Sequence, residues 1–277
     1  MSLNNDICFI YVVGGDDRHY HNLIMSIKSI KKIYPYSNIL IGDFDSKFKS
    51  DDILTKIIDL SHVKFNKNKT YKHIIWQYKY YIAKLSDYKY NLYLDTDTVL
   101  VNSLDNIIKD SCGKFLISKH FWIPDIKSFK QKAETCSDTF LYLSKLNLID
   151  NMDFCAAGVF FFEKNDINLS ILDKTFNLHQ EIYKDKEYIL GIYDETILNS
   201  VLQKNIDNVI YYNGSLNHCC MKNMPMILEN NILCGKNDFD IEYKPITCLH
   251  CDPFRRDPTN GYEEPIKTLI YNLFNNI

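Results

Sequence analysis

After a short polar lead the chain runs through seven apolar positions without interruption, Ile7 to Val13, and then stops at Gly14-Gly15-Asp16-Asp17. An apolar run of that kind, lacking in-out alternation and closed by glycines, predicts a strand buried on both faces at the centre of a parallel sheet. From His21 to Ile33 the period changes: Leu23, Ile24, Ile27, Ile30 and Ile33 recur at helical spacing until Tyr34-Pro35 ends the pattern. Asn38 to Ile41 reads as a second strand, and Ile53 to Leu60 fits either a strand or a short helix. Thr70 to Leu85 predicts a helix rich in aromatics (Tyr71, Trp76, Tyr78, Tyr80, Tyr81), a density that reads as core packing. Leu92 to Leu94 is a third strand. This order predicts an α/β fold built on a doubly wound, mostly parallel sheet.

Beyond residue 110 the pattern is less regular. Phe115 to Ser118 and Ala157 to Phe162 predict strands, Leu169 to Tyr183 and Asp194 to Leu202 helices, and Val209 to Tyr212 and Thr247 to His250 short strands. No Pro/Gly/Ser-rich linker and no internal repeat divides the chain, so residues 1–277 read as one domain of two unequal halves.

The Leu92 strand ends on two carboxylates one residue apart, Asp95-Thr96-Asp97. Ligands of open α/β sheets gather outside the carboxyl ends of the strands, where such a pair can hold a hard cation and, through it, a phosphate. Roughly two Asp-x-Asp matches are expected by chance at this Asp content, and the chain has three: Asp43/Asp45, Asp95/Asp97 and Asp238/Asp240. The last lies in a polar stretch and the first also closes an apolar run. The middle pair is the one followed by a second apolar segment, Val99-Leu100-Val101, and then by a helix start near Asn102 or Ser103.

Composition narrows the field further. With 32 Lys and Arg against 35 Asp and Glu, the net charge is −3, and the basic residues are interleaved with acidic ones. Nucleic-acid binding is therefore not supported. No apolar stretch approaches a transmembrane length and the first residues lack a signal-peptide pattern, which sets cytoplasmic location as the expectation. Nine cysteines, an odd number, fit reduced thiols. Cys248-Leu249-His250-Cys251 and His218-Cys219-Cys220 carry soft ligands, but without a second well-spaced Cys pair zinc is disfavoured. A homodimer is compatible with the sequence, though no segment demands one.

With these elements placed, the chain resembles the retaining GT-A-fold glycosyltransferases of the glycogenin-like family, glycosyltransferase family 8, which includes bacterial galactosyl- and glucosyltransferases. The resemblance spans most of the chain and rests on spaced motifs. Tyr93-Leu94-Asp95-Thr96-Asp97-Thr98-Val99-Leu100 is similar to the family's metal motif. Asp17 and Tyr20 match an Asp-x-x-Tyr that binds and stacks on uracil, with Ser29 at the family's place in the following helix. Lys79 falls sixteen positions before the first metal Asp, where a basic residue contacts the donor. Gly158-Val159-Phe160-Phe161-Phe162 mirrors the family's Gly-Val strand, and Asp194-Glu195-Thr196-Ile197-Leu198-Asn199 its Asp-Gln helix start. His250 and Arg256 occupy the spacing of the third metal ligand and a phosphate-binding cation. Three positions depart from the pattern: Ala156 stands for Asn, Glu195 for Gln and Asp252 for Gly.

The resemblance implies Mn2+ (or Mg2+) held by Asp95, Asp97 and His250, with a UDP-sugar as donor substrate. Its nucleotide-sugar contacts would be Val13, Gly14, Asp17, Tyr20, Lys79, Asp95, Thr96, Asp97, Arg255 and Arg256. Asp194, Glu195 and Lys79 are the implied catalytic residues, the two carboxylates facing the sugar. Residues 1–110 would form the nucleotide-sugar-binding half and 111–277 the sugar and acceptor half, including the late metal-ligand strand. The implied reaction moves a hexose from UDP-glucose, UDP-galactose or UDP-N-acetylglucosamine to a glycan or protein acceptor, with retention. Two rivals stand beside it. One is a haloacid-dehalogenase-type phosphohydrolase with Asp95 as nucleophile, and the other a silent UDP-sugar-binding module.

Overall fold

The computed structural model describes residues 6–63, 71–121, 123–133, 146–182, 194–213, 215–219, 224–230, 232–236, 240–250 and 264–275. Seven strands form the main sheet: β1 (Ile7–Val13), β2 (Asn38–Asp43), β3 (Thr55–Asp59), β4 (Tyr90–Leu94), β6 (Phe115–Lys119), β7 (Cys155–Glu163) and β8 (Val209–Tyr212), in spatial order β3-β2-β1-β4-β7-β6-β8. Every described neighbouring pair is parallel except those made by β7, which runs antiparallel to both β4 and β6. The mostly parallel α/β sheet expected from the sequence is therefore present. Ile53 to Leu60 resolves as a strand, with β3 at the sheet edge.

Helices cover both faces, and the strands divide their side chains between them with period two. Toward one face, Ile10, Val12, Tyr93, Phe160 and Phe162 pack under α2 (Tyr71–Lys84), α5 (Asp166–Ile182) and α6 (Asp194–Leu202). Toward the other, Phe9, Tyr11, Leu92, Leu94 and Phe161 meet α1 (Asp17–Ile33) and α3 (Asp105–Ser111). Burial on both faces is why β1 and β7 read as continuous apolar runs. Helix α1 begins four residues earlier than periodicity predicts, because Asp16 caps it by accepting the Arg18 N–H at 2.9 Å. Helix α3 starts at Asp105, past Asn102 and Ser103. A further helix, α4 (Ile126–Ala133), buries Ile126 and Phe129 on one face and is too short and polar overall to stand out in the pattern.

Two small sheets complete the described structure. In one, β5 (Thr98–Leu100), β9 (Asn217–Cys219) and β13 (Cys248–His250) associate in the order β5-β13-β9; in the other, β10 (Met226–Glu229), β11 (Ile232–Gly235) and β12 (Lys244–Pro245) form an antiparallel set beneath α7 (Glu264–Asn275). The first positions the site. Antiparallel pairing of β13 with β5 sets His250 opposite Thr98, next to Asp97, across more than 150 residues of chain. Strand β5 is in turn fixed to α1, where the Ser29 hydroxyl accepts the Leu100 N–H at 2.9 Å and the Ser26 hydroxyl donates to the Thr98 carbonyl. Ser29 thus serves the frame and stays fully inside the core.

Candidate metal and nucleotide site

The parallel strands β1 and β4 end side by side, and the loops after them enclose a cavity of about 470 Å³. Val13, Gly14, Gly15, Asp16 and His19 form one wall, Ile75, Trp76 and Tyr93 another, and Asp95, Thr96 and Asp97 the floor. A cleft at the carboxyl ends of parallel strands is where open α/β sheets bind nucleotides.

On that floor the ligand atoms of Asp95, Asp97 and His250 lie within 4.8 Å of one another. His250 Nε2 stands 3.2 Å from Asp97 Oδ1. His250 and Asp95 meet over Gly158, and a side chain there would collide with both: a Cβ would sit 2.9 Å from His250 Cε1 and 3.0 Å from Asp95 Oδ2. The Gly158 carbonyl also accepts the Asp95 N–H at 2.8 Å, fixing the loop on strand β7. Burial pushes the Asp95 carboxyl up, with Lys79 opposing and Asp97 adding to the rise. Burial also pushes Asp97 up, but the charge and hydrogen bond of His250 outweigh it and its net shift is downward. Two carboxylates and an imidazole crowded in this way form an O/O/N set that suits Mn2+ or Mg2+, whose charge would relieve the repulsion.

Lys79, from α2, sits beneath the floor and is fully buried. Its ammonium donates to the Ala157 carbonyl at 3.0 Å, pairs with Asp194 and lies 3.8 Å from Asp95 Oδ1. Two of the ammonium's three donors are thus taken by Ala157 and Asp194, with Asp95 close enough to share its charge. Desolvation alone would lower its pKa, but Asp194 and Asp95 overcome that and hold it up. Lys79 therefore links the metal-site carboxylate to Asp194, at the start of α6, rather than reaching into the cleft. Asn199 locks α6 to β7 through reciprocal bonds with the Cys155 backbone, each at 3.1 Å. The next residue, Glu195, has its pKa pushed to about 8, chiefly by burial and then by the charge of Asp194.

Not every residue named from sequence comes to this place. Val13, Gly14, Asp95, Thr96 and Asp97 line the cleft, and Lys79, Asp194, Glu195 and His250 adjoin its floor. Asp17 and Tyr20 do not. They face a separate groove of about 510 Å³ on the other side of α1, together with Lys28 and Lys47. Asp17 pairs there with Lys47 at 3.0 Å, and the Tyr20 hydroxyl donates to Asp43 at 2.7 Å. Helix geometry is the reason: Tyr20 is one turn before Leu23, on the stripe that packs against the sheet. The same spacing read one residue earlier, Asp16 to His19, faces the cleft. Arg255 and Arg256 lie outside the described residues.

Sequence reasoning also passed over Trp76, assigned to core packing but lining the cleft, and His120, whose Nε2 is 3.6 Å from Glu195 Oε2. A lone histidine after a predicted strand carries no local signal of either neighbour. Of the cysteines and histidines considered for zinc, Cys220 and Cys251 lie outside the described residues, His250 joins the aspartates, and His218 is buried and bonded to the Met224 carbonyl at 3.3 Å.

No protein-family model matches the chain, and no curated protein does either. Solved structures do. The galactosyltransferase LgtC in complex with donor and acceptor sugar analogs superposes with a TM-score of 0.59 at 16% identity, covering 98% of this chain and 96% of that one. An active-site glutamine-to-glutamate mutant of LgtC gives 0.56 at 17% identity, with 98% and 97% covered. Mouse xyloside xylosyltransferase 1 in its apo form gives 0.51 at 7% identity, with 89% and 97% covered. Identities this low establish architecture: the chain has the GT-A fold of these glycosyltransferases. In the phosphohydrolase alternative the Asp pair usually ends the first strand of its domain, whereas here β1 to β3 precede it. Among the described residues no helix is long and apolar enough to cross a membrane.

Proposed function

We propose that the protein is a metal-dependent glycosyltransferase that moves a hexose from a UDP-sugar to a glycan or protein acceptor with retention of configuration. The observation that carries the reading is the meeting of Asp95, Asp97 and His250 on the floor of a nucleotide-sized cleft, Asp95 and His250 over Gly158. Asp95, Asp97 and His250 would hold Mn2+ or Mg2+, which when bound supplies Lewis-acid stabilisation of the diphosphate leaving group. Around it, Asp16 and His19 take the nucleoside contacts first assigned to Asp17 and Tyr20, with the His19 ring available for stacking and Trp76 forming the opposite apolar wall. Gly14 and Gly15 let the backbone approach the diphosphate, Gly15 with a positive φ of 86°.

Lys79 holds Asp194 and Asp95 in fixed relation, so the sugar-facing carboxylate and the metal-site carboxylate keep one geometry. Asp194 then lies where positive charge develops at the anomeric carbon, and Glu195 beside it meets the sugar hydroxyls. Support for the transferase class comes from the shared fold and from this constellation together. Incubation with UDP-glucose, UDP-galactose and UDP-N-acetylglucosamine, with Mn2+ or with chelator, tests it. Metal-dependent UDP release that disappears in Asp97→Asn is expected; a protein that neither binds nor cleaves any of them with metal present contradicts it.

A further inference from the structure

His120 belongs to no motif yet faces Glu195, and three features of the fold aim it there. Strand β6 shifts register against β7 between Ile117 and Lys119, a bulge of the kind that redirects the residues following it. The His120 N–H then bonds the Phe154 carbonyl at 2.8 Å, and its ring packs between Phe121 and Phe154 at centroid distances of 5.5 and 5.4 Å. The imidazole is 4% exposed, and its Nε2 points at Glu195 Oε2, 3.6 Å away. That separation is long for a direct hydrogen bond, as is common before a substrate closes a site. Both ends of the pair also touch the metal-site frame: Phe121 sets its ring edge against His250, and Glu195 takes a backbone contact from Ala157, next to Gly158.

Building on the transferase reading above, we propose that His120 is a positioning residue for Glu195, the two side chains sharing one proton so that the pair, rather than Glu195 alone, presents to the sugar hydroxyls. A glutamate here can accept at both oxygens; sharing a proton with His120 fixes which oxygen turns toward the cleft and which away. The charged and titratable groups facing Glu195 are Asp194 on its own helix, Lys79 from α2, Asp95 after β4 and Cys155 at the start of β7. Those flanking His120 are Lys119 and Asp153, which pair with each other at 3.1 Å. None of these replaces the carboxylate in front of the imidazole.

The test compares wild type with His120→Gln, Glu195→Gln and the double variant, each first shown to melt cooperatively, with His120→Asn in reserve for a variant that does not. The His120 ring titration is followed by NMR on histidine-labelled protein, alongside calorimetric binding of UDP with Mn2+ and the pH profile of UDP-sugar cleavage. Expected is a His120 titration that moves by roughly one unit or more when Glu195 becomes Gln, because the shared proton then has a single site. His120→Gln should cut kcat/KM roughly tenfold in the wild-type background and leave it unchanged in the Glu195→Gln background, as for groups acting as one unit. UDP–Mn2+ binding should stay within about twofold throughout, as the pair lies off the metal triad. A His120 titration indifferent to Glu195, or losses that multiply in the double variant, overturns the pair while leaving the donor site standing. Wild type that fails to bind UDP with Mn2+ overturns the transferase reading, and the pair with it.

Discussion

Two Asp-x-Asp sequences close strands on either side of β1, and the fold uses them in opposite ways. Asp43 ends β2 fully buried, accepting the Tyr20 hydroxyl at 2.7 Å, the Asp45 N–H at 3.0 Å and the Phe48 N–H at 2.7 Å. Asp45 accepts the Gly15 N–H at 2.7 Å and steadies the loop that walls the cleft. Both carboxylate oxygens of Asp43, and Oδ2 of Asp45, are committed to backbone and tyrosine donors. Asp95 and Asp97 end β4 with oxygens converging on His250 and on one another instead. The contrast teaches that the motif is a local property and the site a tertiary one: the first pair is tied into its own loop, while the second, with Asp95 also accepting the Tyr93 hydroxyl at 2.9 Å, meets an imidazole brought in from β13.

Breaking the two pairs should therefore give crossed results. Asp97→Asn is expected to weaken Mn2+-dependent UDP binding by about 100-fold or more, because a ligand is lost, at a cost in stability of about 1 kcal/mol or less from the weakened His250 contact. Asp43→Asn should do the reverse, costing about 2–3 kcal/mol, since its new NH2 must face either the Phe48 N–H or the Tyr20 hydroxyl and Asp45 N–H. Urea unfolding and calorimetry on the same preparations separate the two effects. Equal loss of binding in both variants would erase the distinction.

A smaller perturbation sharpens the geometry of the second pair. Gly158→Ala pushes a methyl between His250 and Asp95 and should cost roughly 10- to 100-fold in metal affinity with UDP-free Mn2+ as the probe. Smaller again is the effect of the loop that Asp45 supports. Asp16→Ala and His19→Ala should each weaken UDP about tenfold, the scale of one lost polar or stacking contact, whereas Asp17→Ala and Tyr20→Phe leave it unchanged. Weakening by the second set and not the first would return the nucleoside to the other side of α1.

The smallest expected effect is on stability. Glu195 holds its proton in the folded chain up to about 8, against 4.5 ordinarily. Between those values the folded state binds a proton that the unfolded chain has released, so the stabilisation present below about 4.5 is lost as the pH rises through about 8. Wild type should lose about 1–2 kcal/mol relative to Glu195→Gln between pH 5 and 8, after allowance for partial solvent screening. Parallel stability curves for the two proteins contradict the burial that drives the shift.

Much of this architecture was legible before any coordinates. The central strands were readable because burial on both faces removes alternation, and α5 and α6 because their stripes are wide. The grouping of the Asp pair with His250 is what the family resemblance implies, and the pairing of β13 with β5 brings the three side chains together. Within α1 the residues expected at the nucleotide and those lining the cleft part ways: Asp17 and Tyr20 face the neighbouring groove, while Asp16 and His19 line the cleft. Trp76 and His120 were not legible either. An aromatic on an amphipathic helix is usually core, and the bulge that aims His120 at Glu195 leaves no mark in composition.

The central claim is that β4's pair, and not β2's, makes a nucleotide site through a metal. Isothermal titration of UDP into wild type, Asp97→Asn and Asp43→Asn, with Mn2+ and with chelator, measures it directly. The account predicts saturable heat for wild type and Asp43→Asn that requires Mn2+, and none for Asp97→Asn. UDP binding that survives chelation, or that persists undiminished in Asp97→Asn, contradicts it.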